Sequence, residues 1–212
     1  MEGYKTEEEQ VEALKKWWND NGTSVIIGFC VLAAAIAGWQ YWQGQKTATA
    51  VQASMLIEHA TQALDNDNHQ GVSDAAGQIL SEFSDTSYAP MAALLLAKSK
   101  YLSDDVASAQ TYLQWALDNS KDEGIQHIAR IRLASVLWQQ DKDDEALSLI
   151  NGVEPGKFIA SYEELRGDIL ASQGNNQEAI KAYEMAVSGE GAVSDARSLQ
   201  LKIDALKSVS SQ

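Results

Sequence analysis

No charged residue occurs between Asn21 and Gln45, and within that interval Thr23–Trp42 reads TSVIIGFCVLAAAIAGWQYW. Twenty helical residues span about 30 Å, the thickness of a bilayer hydrocarbon core, so the run predicts a membrane-spanning helix. Trp17 and Trp18 precede it, and Trp39, Tyr41 and Trp42 close it. Rings at both ends match the aromatic belts that form where headgroups meet hydrocarbon. A cleavable signal peptide is the competing reading, because Ala35-Ile36-Ala37 has the small-x-small form of a cleavage site. Against it, the preceding segment holds three Lys among six acids rather than a short basic start, and apolar residues continue past the site.

Orientation follows from the basic residues near the membrane. Lys5, Lys15 and Lys16 lie before the run, and Lys46 alone follows it until Lys98. The reading is a cytoplasmic segment over 1–22, a transmembrane helix over 23–42, and an exported domain over 46–212, periplasmic in a bacterium. Thr6-Glu7-Glu8-Glu9 has the form of a capping box, and Val11, Leu14, Trp17 and Trp18 then repeat at helical spacing. Residues 1–22 are therefore expected to hold a short amphipathic helix, either lying on the membrane surface or docking a cytosolic partner.

After Gln45 no alternating strand pattern occurs. Apolar residues at helical spacing are broken by polar clusters such as Asp65-Asn66-Asp67-Asn68, Asp118-Asn119-Ser120 and Gly174-Asn175-Asn176, which outline eight or nine helices of about 9 to 20 residues. Two Pro in 212 residues and 45% apolar content agree with a packed all-helical domain. A formal charge of −14, from 16 basic and 30 acidic residues, excludes nucleic acid as a partner for the bulk of the chain. Cys30 is the single cysteine and lies inside the apolar run, so no disulfide forms within one chain. No phosphate-binding loop, nucleophile elbow, His-centred triad or metal-ligand spacing is present, so the reading is a non-enzyme without cofactor or metal.

A step of twelve residues recurs in the exported part. It joins Ala97 to Ala109, Ala134 to Ala146 and Gly167 to Ala179, followed four residues later by Leu113, Ile150 and Tyr183. Small residues at such a pair let two helices of a hairpin cross closely, and the large residue fills the space toward the next. Glu145-Ala146 and Glu178-Ala179 stand 33 residues apart. Residues 160–193 resemble the tetratricopeptide consensus at Gly167, Gly174, Ala179, Tyr183 and Ala186. Residues 127–159 match less well, with Asp141 at the usual turn glycine; 90–118 match at the small residues, and 46–83 read as helical but out of register. The fold class is thus all-α: one N-terminal transmembrane helix followed by a tetratricopeptide-like α-solenoid.

In repeats of that kind the first helix of each hairpin lines a concave surface. Carried onto this register, the lining is Met91, Leu94, Lys98 and Tyr101, then Ile128, Ile131, Ser135 and Trp138, then Ser161, Glu164, Asp168 and Ala171. Met91, Leu94, Tyr101, Ile128, Ile131 and Trp138 form the candidate protein-binding groove, suited to extended apolar segments. The alternative is that a helix within 46–66 fills this groove and buries those residues as core.

The block Glu9-Gln10-Val11-Glu12-Ala13-Leu14-Lys15, then Asn21-Gly22, the anchor ending Gly38-Trp39-Gln40-Tyr41-Trp42, and Ile131-Arg132-Leu133-Ala134 together resemble the YfgM family over essentially the whole length. These are ancillary subunits of the bacterial SecYEG translocon. The Trp17-Trp18 pair, where Phe is expected, and the stretch 46–83 depart from the pattern. The resemblance implies a single-pass inner-membrane protein with its C-terminal domain in the periplasm. Its implied partners are the SecYEG translocon, the membrane-anchored prolyl isomerase PpiD and translocating polypeptides, which it would hand to periplasmic chaperones. The alternatives are a scaffold that binds no client, its groove or flank taken up by its partner, and, as the resemblance also implies, a negative regulator of an envelope-stress response acting through the cytoplasmic segment.

Overall fold

The computed structural model describes residues 7–189 and 196–210, and every regular element among them is helical. The order is α1 (Glu7–Asp65), α2 (His69–Glu82), α3 (Tyr88–Leu102), α4 (Val106–Asn119), α5 (Glu123–Trp138), α6 (Asp143–Ile150), α7 (Ile159–Ser172), α8 (Asn176–Ser188) and α9 (Ala196–Ser210), with a 3-10 turn at Gly156–Phe158. The capping role expected of Thr6 lies outside the described residues, as do 190–195 and 211–212. The chain divides into two compact units, 1–51 and 52–212.

In the first unit α1 runs unbroken, because the sequence from Glu7 to Asp65 offers no proline and only isolated glycines. It is long and apolar enough to cross a membrane. Its apolar side chains are exposed all round: Ile26, Ile27, Phe29, Val31, Leu32 and Ile36 each keep half or more of their surface uncovered. A helix apolar on every side requires an apolar surrounding, since leaving each such side chain in water forgoes about 1.5–3 kcal/mol. Polar groups at the ends of the run are satisfied within the helix. The Asn21 amide donates to the Trp17 carbonyl at 3.0 Å, and the Thr47 hydroxyl to the Gln43 carbonyl at 3.0 Å. Lys46 Nζ sits 3.6 Å from the centroid of the Trp42 ring, a cation held over an aromatic face.

The second unit is a stack of hairpins. Ala97, Ala109, Ala134, Ala146 and Ala179 are all buried, as is Gly167, and the large residues Leu113, Ile150 and Tyr183 are 3%, 1% and 2% exposed. The twelve-residue step therefore marks three hairpins, α3–α4, α5–α6 and α7–α8. A fourth precedes them. Ala60 and Val72 are twelve residues apart and both fully buried, so residues 52–65 of α1 pair with α2 in the same register. The expectation that 46–83 stands out of register is thereby corrected. The pattern was masked because valine replaces the second small residue and no glycine marks the turn.

All four turns close in one way. Asp67, Asp104, Asp141 and Gly174 lie seven residues after the first small residue of their hairpins and have φ of 54°, 62°, 60° and 78°. In each, the following amide donates five residues back, as Asn68 to Ala63 at 2.8 Å and Asn175 to Leu170 at 2.9 Å. This is the Schellman closure, which requires a left-handed residue. Aspartate tolerates that conformation less well than glycine. Asp141→Gly is expected to raise the unfolding free energy by about 0.5–1 kcal/mol in urea titration of the detergent-solubilised chain.

Capping sets the helix starts. The side chains of Asn68, Asp105 and Asp122 accept from the amides of Gly71, Ser108 and Ile125 at 3.0, 3.2 and 3.0 Å. Those bonds from Ser108, aided by Lys100, hold the Asp105 carboxyl below its ordinary pKa. At the other end of the domain, α9 packs on α8, placing Leu199 and Ile203 against Ala179, Tyr183 and Ala186. Helix α6 has eight residues, below the expected range, because the chain turns at Asn151-Gly152, where Gly152 has φ +74°.

Candidate functional site

The first helices of the hairpins supply one face of the second unit, and the groove residues lie on it with unequal exposure. Met91 is 41% exposed and Tyr101 39%. Leu94, Ile131 and Trp138 are half-buried and pack partly on the core of Leu113, Leu133 and Leu137. Ile128 is half-buried. The apolar character of the face is thus concentrated at Met91 and Tyr101, with the other four offering one side each.

Residues 52–65, as the first helix of the foremost hairpin, continue this face and do not cover Met91 or Tyr101, which stay exposed. Ala60 and Leu64 join Val72, Ala76 and Ile79 of α2 and Ala89, Ala92 and Leu96 of α3 in a separate core. Chain passing from that hairpin to the next is tied by His69 Nδ1, 3.0 Å from the buried Ser99 hydroxyl.

Between α3 and α5 the face deepens into a pocket of about 350 Å³. Ala97, Leu113 and Val136 are its apolar walls, and Lys98, Tyr101, Arg132, Ser135 and Gln139 complete it. The Tyr101 hydroxyl donates to Gln139 Oε1, joining the two helices across its rim. Further along, the Trp138 indole donates to the Ser172 hydroxyl at 3.1 Å, a contact from α5 to α7. Tyr101, Lys98 and Ser135 were expected here from their register. Arg132, Gln139 and Val136 were not, since they sit beside the positions that the repeat assigns to the concave surface.

The share of the face that α7 contributes is occupied. Lys202 of α9 places its ammonium 2.6 Å from Asp168 Oδ1 and 3.6 Å from Glu164 Oε1. The Tyr183 hydroxyl also donates to Asp168 at 2.7 Å. Burial and that carboxylate together push the Tyr183 phenol well above its usual pKa, so it stays a donor. Glu164 and Asp168 therefore hold α9 in place.

These features can be set beside known proteins. A family model described as a tetratricopeptide repeat-like domain matches residues 15–208. The ancillary SecYEG translocon subunit of Escherichia coli K12 is 30% identical over 206 residues, covering 97% of this chain and 99% of that protein. The protein of the same name from Haemophilus influenzae Rd is 32% identical over 180 residues, 85% of this chain and 88% of its own. That from Neisseria gonorrhoeae is 27% identical over 209 residues, spanning 98% and 100%. This chain belongs to the ancillary SecYEG translocon subunit family.

Two further features of this family member lie away from the concave face. A wider cleft of about 1040 Å³ opens between α4 and α6, with half-buried Trp115, Arg130 and Leu149 in its lining. The second is a charged pair inside the stack. Glu163 is 3% exposed, and its Oε1 accepts from Arg166 at 2.6 Å. Burial raises its pKa, with Arg166 opposing the rise. The cleft belongs to the packing of α4, α5 and α6, and the pair lies on α7 where Arg166 reaches Asn151 after α6. Neither was foreseen in the sequence, because each depends on how successive hairpins meet.

Proposed function

We propose that this protein is an ancillary subunit of a bacterial SecYEG translocon, held in the inner membrane by α1 with the hairpin stack in the periplasm. The observation that carries this reading is near-full-length similarity to proteins named for that role, covering anchor and stack together. The cytoplasmic placement of the N-terminal segment is supported by Lys15 and Lys16 before the apolar run against Lys46 after it. The transmembrane portion is taken as 23–42, with 1–22 before it and the domain 46–212 after it.

In this reading the concave face receives translocating polypeptides through Met91, Leu94, Tyr101, Ile128, Ile131 and Trp138, and passes them toward periplasmic chaperones. What supports it is the exposure of Met91 and Tyr101 beside a pocket with apolar walls. Association with the prolyl isomerase PpiD belongs to the same proposal, as the family resemblance implies it. The protein acts by binding and carries no catalytic group in this scheme.

Site-specific photo-crosslinking in cells tests the reading. A photoreactive residue at Met91 or Tyr101, the two exposed positions, is expected to capture many different exported chains, with fewer adducts from half-buried Ile131 and Trp138. A single discrete adduct from all four would instead make the face a docking site for one folded partner. No adduct from any would end the groove proposal.

A further inference from the structure

We propose that the pocket between α3 and α5 selects an acidic side chain within an extended apolar segment. This rests on the reading of the concave face as a polypeptide-binding surface. The argument begins with charge. The chain carries −14, so its long-range field favours basic ligands. Four cations of the stack are paired with carboxylates: Lys100 with Asp105, Arg166 with Glu163, Lys202 with Glu164 and Asp168, and Lys207 with Glu184. Lys98 and Arg132 differ. Both line one pocket, and neither has a carboxylate in ion-pair reach among the described residues.

Lys98 and Arg132 bring two positive charges to the lining of one pocket, and the surroundings of Arg132 desolvate it enough to lower its pKa. A carboxylate placed there offsets that desolvation and forms charge-assisted hydrogen bonds. Gln139 adds a neutral donor: its Oε1 is occupied by the Tyr101 hydroxyl, which leaves its amide NH₂ to donate. Ala97, Leu113 and Val136 offer the methylene part of such a side chain an apolar wall.

The rest of the valley sets the neighbours of that carboxylate. Met91 and Leu94 on α3, with Ile128 and Ile131 on α5, lie toward the helix N-termini, and the cationic pocket lies toward the C-termini. From Met91 to Tyr101 the helix rises about 15 Å, the length of four or five extended residues. The occupant is thus a short extended segment with apolar side chains at one end and Glu or Asp at the other. A chain in passage presents internal residues rather than its terminus, so the carboxylate is assigned to a side chain.

The test is fluorescence anisotropy on the full chain in nanodiscs of zwitterionic lipid. The probes are end-blocked decapeptides with identical apolar residues and a pair of Glu, Gln or Lys at one end. The Glu peptide is expected to bind about tenfold more tightly than the Gln peptide, and the Lys peptide more weakly than either. In the double variant K98Q/R132Q, the Glu and Gln peptides should bind with equal affinity. Both residues keep part of their surface in water and glutamine stays polar at both positions, so the circular dichroism of the variant should match that of the wild type. Equal binding of Glu and Gln peptides overturns the inference and leaves the groove reading standing. A Glu preference that survives the double variant, or one that needs a free C-terminus, also overturns it. Absence of binding by every peptide overturns the inference and the groove reading together.

Discussion

Replacing Gly167 with leucine is expected to cost the hairpin stack about 3 kcal/mol, the upper range for overpacking a filled core. A Cβ at this position would lie 2.5 Å from Tyr183 Cε1 and 2.6 Å from Cδ1. The ring cannot step aside cheaply. It is 2% exposed, packed among Ala179, Ala186 and Leu199, and its hydroxyl is bonded to Asp168. Displacing it also loosens α9, since Asp168 is the acceptor for Lys202. Thermal unfolding followed by circular dichroism should show a midpoint lower by about 6–12 °C. Tyr183→Ala in the leucine background should cost less than the two changes summed, because one collision accounts for both. Gly77 is the control: it lies inside α2 with nothing within 4 Å of a new Cβ, so Gly77→Ala should stabilise by about 1 kcal/mol. A Gly167→Leu protein as stable as wild type would mean that α7 and α8 do not cross at this glycine.

The second large effect is expected at Arg166→Met. Glu163 is nearly sealed from solvent; one of its carboxylate oxygens depends on Arg166, and the other has no hydrogen-bond partner among the described residues. Removing the guanidinium leaves a buried charge unpaired, a loss of about 3 kcal/mol at neutral pH. The sign of the pH dependence follows from the direction of the shift. Burial raises the Glu163 pKa in the folded chain, and without Arg166 it rises further. The folded state then binds a proton more readily than the unfolded one. The penalty is absent below the unfolded carboxyl value of about 4.3 and grows as the pH climbs through the higher folded value. Urea titrations from pH 4 to pH 8 should therefore bring the variant close to wild type at the acid end. A gap that does not change with pH would show that Arg166 contributes packing alone.

Particular residues show where reading the chain succeeds and where it stops. The alternation of small and large residues in the last three hairpins is local and periodic, and Gly167, Ala179 and Tyr183 lie where the twelve-residue step puts them. The first hairpin carries the same geometry with Val72 for alanine and Asp67 for a turn glycine, and so it escaped the pattern. What the turn needs is a left-handed backbone, and aspartate supplies that without looking like glycine. The division of residues 7–65 into an amphipathic segment, an anchor and a domain helix followed changes of composition. The backbone runs through all three as α1, because changes in side-chain polarity do not interrupt a main-chain hydrogen-bond ladder.

The membrane segment and the helical class were decided by the chain alone. An uncharged run of sufficient length and a helical apolar period each act within one element, so no distant residue alters them. The binding face was legible only as a register. Which of its residues are exposed depends on neighbours: Trp138 reaches Ser172, and Lys202 covers Glu164 and Asp168. The pairing of Lys98 with Arg132 in one pocket belongs wholly to the tertiary structure. They stand at different positions of their repeats, and only the packing of α5 beside α3 brings both cations to the lining of one pocket.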